Sequence, residues 1–162
     1  MLQTGMLFTI LCGQLLLLIL FYRTNRSRSP HSAESFKSTA DEEKKRLVEL
    51  QLLAMHNACA RQRDKLHMLE IQVTDPKLPF ALSKVPLHPL QLRAAEESYQ
   101  LYAEYVHTYW KTEQGNWKTA FRGRFDEPDT EAGNVRAASI QLEDQLQKRL
   151  QIWYEEERND RG

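Results

Sequence analysis

Aromatic and basic side chains alternate through the stretch 110–125, where the sequence has its clearest capacity for binding chemistry. Aromatic rings can stack on nucleic-acid bases while cations hold phosphates, and the same mixture suits the interface between an anionic membrane and water. The competing interpretation, which we favour, is that the rings close one end of a helical bundle while the cations stay in solvent. The residues concerned are Trp110, Trp117, Phe121, Lys111, Lys118, Arg122 and Arg124.

A second set of reactive side chains, His56, Cys59 and His67, has spacings that lean toward one side of a helix. A zinc site usually has four ligands and often contains a close pair of cysteines. Arg63 falls on the same side and would repel a cation. Because Cys59 also fits an apolar helix face as a small hydrophobic residue, we predict no metal site and no cofactor.

Nucleophilic catalysis would have to use Cys59 with His56 as its base, since no other pair stands out. Such chemistry also requires a pocket and free N–H donors for the developing charge, and the middle of an amphipathic helix supplies neither. The sequence contains no nucleophile-elbow, phosphate-loop or H-E-x-x-H motif. We therefore predict that the protein is not an enzyme.

The N-terminal segment is apolar enough to be a membrane anchor. Residues 1–22 contain no Asp, Glu, Lys or Arg, and a helix of roughly 20 residues spans the hydrocarbon core. A cleaved signal peptide would have a basic region ahead of the apolar run, but the first basic residue is Arg23. A lipoprotein at Cys12 lacks the same basic lead, and a buried soluble helix is the remaining alternative. We predict a single transmembrane anchor at 1–22.

The residues after the anchor indicate its orientation. Arg23, Arg26 and Arg28 crowd its C-terminal side, and basic residues are retained on the cytoplasmic side of a membrane. The prediction is an N-terminus outside and a soluble domain in the cytoplasm. The stretch 23–38 is rich in Arg and Ser and reads as a flexible basic tether.

The soluble part begins with a predicted helix over about 40–73. Thr39 and Glu42 have the spacing of a capping box, and Asp75-Pro76 disfavours continuation. Its apolar residues step by four and three, as in a coiled coil, and a second stripe widens the first half. If two copies paired in parallel as a homodimer, their Cys59 side chains would meet. The seam comprises Val48, Leu52, Met55, Cys59, Gln62, Leu66, Leu69 and Val73, and the second stripe comprises Leu47, Leu50, Ala54 and Ala58.

Two further helices are predicted over about 90–114 and 128–158. The first would end before the turn signal Gly115-Asn116. Between the first and second helices, the stretch 74–89 carries four prolines among apolar residues. We expect this strip to lie extended against the helices, because proline lacks a donor and fixes φ. The fold class is therefore all-α: one transmembrane helix followed by a helical bundle or coiled-coil-like domain of about three helices.

Composition narrows the function further. The chain of 162 residues has 22 basic and 22 acidic side chains, so it has no overall attraction to nucleic acid, which makes a nucleic-acid partner improbable. We predict a membrane-anchored scaffold or assembly subunit that binds a membrane or membrane-proximal protein, with an anionic-lipid or nucleic-acid binder using segment 110–125 as the alternative. The expected protein contacts are Leu52, Met55, Leu66, Leu69, Trp110, Trp117 and Phe121; the alternative uses the four cations named above.

The predicted topology can be tested with a C-terminal tag on the full chain. In sealed cells, added protease should leave the tag intact, and lysis should expose it, because the positive flank holds the domain in the cytoplasm. Digestion of the tag in intact cells would contradict the arginine argument and place the domain on the opposite side.

Overall fold

The computed structural model describes residues 30–74 and 80–160, with side chains at 38–74 and 80–159. The predicted anchor at 1–22 lies outside these residues. Among the helices that are described, none is both long and apolar enough to cross a membrane. The chain divides into two compact units, Met1–Ala40 and Asp41–Gly162, and the contacts discussed below lie within the second.

The regular secondary structure of the described residues is helical, as the sequence predicts, and includes no strand. Four α-helices follow one another: α1 (Pro30–Ala60), α2 (Met68–Val73), α3 (Pro89–Tyr105) and α4 (Glu131–Asp160). Three shorter turns join or extend them: 3-10 turns at Arg61–Arg63 and Leu82–Lys84, and a π-helical turn at Val106–Trp110.

α1 begins at Pro30, well before the predicted start at Thr39. Proline suits the first helical position because its fixed φ is already helical and its missing N–H would be unpaired there. The residues between Pro30 and Thr39 include no further proline and no glycine, so nothing interrupts the helix. The capping-box interpretation of Thr39 and Glu42 is therefore wrong, and residues 30–38 of the predicted tether are helical.

The predicted helix over 40–73 is broken at Gln62. This side chain is fully buried; its amide donates to the Ala58 carbonyl (2.8 Å) and its oxygen accepts from the His67 N–H (2.6 Å). The Gln62 side chain thus binds the His67 N–H, which a continuing helix would have paired with a backbone carbonyl four residues earlier. Arg63 fixes the break against α4 through an ion pair with Glu143 (2.6 Å).

One hydrophobic core collects side chains from all four α-helices and from the π-helical turn. Burying one large aliphatic side chain contributes about 1.5–3 kcal/mol to the stability of the fold. Burial of this core therefore holds the helices together. Two tyrosine hydroxyls of this core have side-chain partners: Tyr99 donates to Gln51 (2.7 Å), and Tyr105 bonds Ser139 (2.6 Å). The largest buried members are Trp110, Trp153, Tyr102, Leu52, Met55, Ile71 and Leu146.

The proline-rich strip contributes to the same core. Val85 is buried, while Phe80, Leu82 and Leu87 are partly buried against the core. Residues 75–79 lie outside the described part. Downstream, His88 caps α3 together with Gln91, a capping box that the sequence analysis did not identify.

The predicted helix over 90–114 ends early because its last residues enter a turn. After the π-helical turn, Lys111 is extended and forms an antiparallel bridge with Trp117. Gly115, with φ of 79°, allows the reversal between them. The sequence located this turn correctly but placed the end of the helix too close to it.

The final helix begins at Glu131 because the preceding residue caps it. The Thr130 hydroxyl accepts from the Gly133 N–H (3.1 Å), the bond expected of an N-cap side chain. The loop folds closely over this first turn: a Cβ added to Gly133 would lie 1.8 Å from the Glu127 carbonyl oxygen. The cap is thus Thr130, and the helix starts at Glu131 rather than at the predicted position 128.

Replacing Gly133 tests this close approach. Gly133→Ala should lower the free energy of unfolding by about 1–3 kcal/mol, because a backbone carbonyl must move to admit the methyl group. The matched variant Asn134→Ala, at the exposed neighbouring position, should change it by less than about 0.5 kcal/mol. Urea unfolding followed by tryptophan fluorescence measures both. An unchanged midpoint for Gly133→Ala would contradict the described loop.

Candidate interaction surface

The residues predicted to contact a partner fall into three classes of exposure. Leu52, Met55 and Trp110 lie in the core of their own chain and offer no area to a partner, which corrects the sequence interpretation. Leu66, Trp117 and Phe121 are partly buried against that core. Leu69 is 71% exposed. Of the predicted contact residues, Leu69 therefore retains the most surface for binding.

Leu69 belongs to a larger apolar surface on α1 and α2. Leu50 and Val73 are 52% and 78% exposed, and Leu47 is 40% exposed. Large aliphatic side chains grouped in solvent in this way are typical of interaction sites. We call this group the apolar surface; it consists of Leu47, Leu50, Ala54, Leu69 and Val73.

The apolar surface contains a groove of about 380 Å³ between α1 and α2. Ala54 and Ala58 form its small-residue side on α1, and Leu69 and Val73 line it from α2. An ion pair between Arg61 and Glu70 joins the two helices beside it. A groove with small residues on one side and aliphatic residues on the other fits the apolar face of a helix.

The groove exists because α2 is rotated relative to the predicted seam. Ile71 is fully buried in the core, and residues at i−2 and i+2 point to the opposite side of a helix. Leu69 and Val73 therefore face solvent, although a continuous heptad seam would have placed them inside. The break at Gln62 resets the register and converts two predicted core residues into surface residues.

The second stripe of α1 forms the other side of this surface. The spacing of Leu47, Leu50, Ala54 and Ala58 predicts a widening of the apolar face. In the structure Ala58 is buried while Leu50 and Ala54 are exposed. The stripe thus runs from the core edge into solvent, which explains why one helix shows both a narrow and a wide apolar face.

In the aromatic and basic segment, intrachain contacts engage several of the cations. Lys118 pairs with Glu131 (2.7 Å) and Arg124 pairs with Asp126 (2.9 Å). The hydrogen bond from Lys118 holds the pKa of Glu131 below its usual value, assisted by the backbone N–H of Arg122. Pairing of this kind reduces the positive charge that the segment offers to a phosphate.

The aromatic rings of the same segment pack inward. Trp110 meets Phe121 edge to face, with ring centroids 5.1 Å apart, and Lys111 lies over the Trp117 ring at 5.0 Å. These contacts stabilise the end of the bundle. A ring already covered by its own lysine presents less face for stacking on a base.

The reactive side chains His56, Cys59 and His67 do not form a site. Cys59 is fully buried, whereas His67 is exposed and His56 interacts with Gln147 on α4 (3.3 Å). In the described part of the chain no cluster of His, Cys, Asp and Glu is arranged to hold a metal ion. Since Cys59 faces its own core, a parallel homodimer joined through Cys59 is inconsistent with this fold.

Burial also makes the Cys59 thiol unreactive. Desolvation, with a smaller contribution from the charge of Glu143, raises the pKa of Cys59 to about 12. Burial likewise raises the pKa of Tyr105, although its hydrogen bond with Ser139 opposes the shift. A thiol needs its thiolate form to attack or to bind metal, so Cys59 is a structural residue.

The raised pKa of Cys59 predicts loss of stability in alkali. Below pH 9 the Cys59 thiol is mainly protonated in both the folded and the unfolded protein. Above pH 9 the thiol of the unfolded protein, with its usual pKa of 9.0, loses its proton, whereas the thiol of the folded protein retains it. Relative to Cys59→Ala, the wild-type chain should lose about 1.4 kcal/mol of unfolding free energy between pH 8 and pH 10. Urea titrations at both pH values measure this difference. Parallel pH profiles for the two proteins would contradict it.

Comparisons with known proteins give no relative for this chain. No protein-family model matches it, and neither a curated protein nor a solved structure matches it.

Proposed function

We propose that this protein is a membrane-anchored scaffold or assembly subunit that binds a protein through its apolar surface. The anchor is the apolar segment 1–22, and the soluble domain lies on the cytoplasmic side. The protein performs no catalysis; its role is to hold its partner at a membrane.

The exposure of Leu50, Leu69 and Val73 is the observation that carries this proposal. Leu69 and Val73 line the groove, and Leu50 is exposed on α1 one helical turn before the groove residue Ala54. Burying their apolar area would yield about 25 cal/mol per Å². Protein partners supply such area, because an amphipathic helix presents aliphatic side chains at the spacing that the groove receives.

The alternative function, binding anionic lipid or nucleic acid through segment 110–125, has less support. Lys118 and Arg124 are paired with carboxylates of their own chain, and Lys111 covers Trp117. A phosphate would have to displace those carboxylates. Binding of this type would weaken steeply with salt, whereas apolar binding would not.

Site-specific photo-cross-linking in intact membranes tests the proposal. A benzophenone side chain at position 69 of the full chain should give discrete protein adducts, because the groove lies against the partner. The matched control places the same group at Ile140 on α4, which is 37% exposed and lies outside the apolar surface. Leu50→Asp should abolish the adducts from position 69 by adding a charge to the surface.

Two results would contradict the proposal. One is an absence of protein adducts at position 69 under conditions where the same group reacts with lipid. The other is equal labelling from positions 69 and 140. Adducts that disappear when Lys111, Lys118, Arg122 and Arg124 are replaced together, and not with Leu50→Asp, would favour the alternative function.

A further inference from the structure

One line of residues repeats with heptad spacing on the solvent side of α1 and continues to Arg61, the first residue of the following 3-10 turn. Successive members are separated by four, three, four, three and four positions, which keeps them on one face of a helix. All six side chains are exposed. The line comprises Glu43, Leu47, Leu50, Ala54, Asn57 and Arg61.

The two halves of this line differ in charge and in size. It begins with the acid Glu43 and ends with the cation Arg61. Its first half carries Leu47 and Leu50, and its second half carries the small Ala54 beside the groove. A surface with projecting leucines at one end and a groove at the other is complementary to itself after a two-fold rotation.

We propose that the apolar surface is occupied by a second copy of this chain, with the two α1 helices antiparallel. This inference rests on the proposed function and names its partner. A two-fold axis between Leu50 and Ala54 puts Leu50 of each copy on Ala54 of the other. Interfaces of this kind are isologous and close after two subunits.

Charge selects the antiparallel orientation over the parallel one. In the antiparallel pair Glu43 lies opposite Arg61 of the second copy, and the contact occurs twice. In a parallel pair Glu43 would lie opposite Glu43, and Arg61 opposite Arg61, so like charges would meet at both ends. The intrachain pair with Glu70 does not exhaust Arg61, because a guanidinium has five N–H donors.

Size complementarity supports the same arrangement. Leu69 and Val73 extend the groove side of each copy, and the facing leucines of the second copy enter between them and Ala54. This covers the most exposed aliphatic side chains of the described residues, Leu69 and Val73. The core seam through Leu52 and Cys59 remains intrachain.

Cross-linking between differently tagged full-length chains tests the orientation. All chains carry Cys12→Ser, and one also carries Leu47→Cys while the other carries Asn57→Cys. After mixing in mild detergent, a short bis-maleimide should join the two different tags, because position 47 faces position 57 of the other copy. Cross-linking within each tag, 47 to 47 or 57 to 57, would indicate parallel pairing and overturn the proposal. Chains with Cys12→Ser alone should not cross-link, since Cys59 is buried.

Molar mass in detergent supplies an independent measurement. The wild-type chain should be a dimer by light scattering, and Leu50→Asp should be a monomer at the same concentration. Glu43→Arg should raise the dimer dissociation constant on the order of tenfold, because it replaces two exposed ion pairs with two repulsions. The control Ile140→Asp, on α4, should leave the dissociation constant unchanged. Retention of the dimer by both Leu50→Asp and Glu43→Arg would overturn the proposal.

The photo-cross-linking experiment separates this inference from the proposed function. Adducts of position 69 with a second copy of the chain agree with both. Adducts with a different protein, from a chain that is monomeric by light scattering, overturn the dimer and leave the scaffold function in place. Absence of any protein adduct, from a chain that is monomeric, overturns both.

Discussion

The buried amide of Gln62 sets the course of the chain on which the remaining architecture depends. By donating to Ala58 and accepting from His67, it satisfies its own polar atoms inside the core and ends α1. A buried amide without partners would cost about 1–3 kcal/mol, so the turn at 64–67 and the burial of Gln62 require each other. That turn brings α2 beside α1, buries Ile71 and exposes Leu69 and Val73.

The apolar surface and the aromatic segment 110–125 differ in whether their own chain covers them. The aromatics at 110–125 form intrachain contacts with one another and with their own cations, which accounts for their composition without a ligand. Within the described residues, the large aliphatic side chains of the apolar surface remain exposed to solvent. Exposing aliphatic side chains to water is unfavourable. Binding of a partner over them would explain why they are grouped at this surface.

Sequence patterns predicted the type of structure better than its register. The prediction of a helix over 128–158 was correct in type, since α4 spans Glu131–Asp160, and Gly115 marked a real turn. The three-and-four spacing misled at Leu69 and Val73, because a break in the helix upstream rotates every residue after it. Thr130 was overlooked as a cap, although a threonine three residues before Gly133 was a readable signal.

The sequence by itself determined that the described part of the chain is mainly helical, since the hydrophobic period, the scarcity of glycine and the positions of the prolines act locally on the backbone. It also determined that residues 1–22 are apolar and uncharged. Only the tertiary structure decided which apolar stripe is core and which is surface. That choice depends on where α1 ends and which way α2 turns. Gln62 makes the local bonds at the break, but its burial in the core and the Arg63–Glu143 ion pair come from contacts with residues distant in sequence. Periodicity specifies a face of a helix, but packing alone specifies what that face meets.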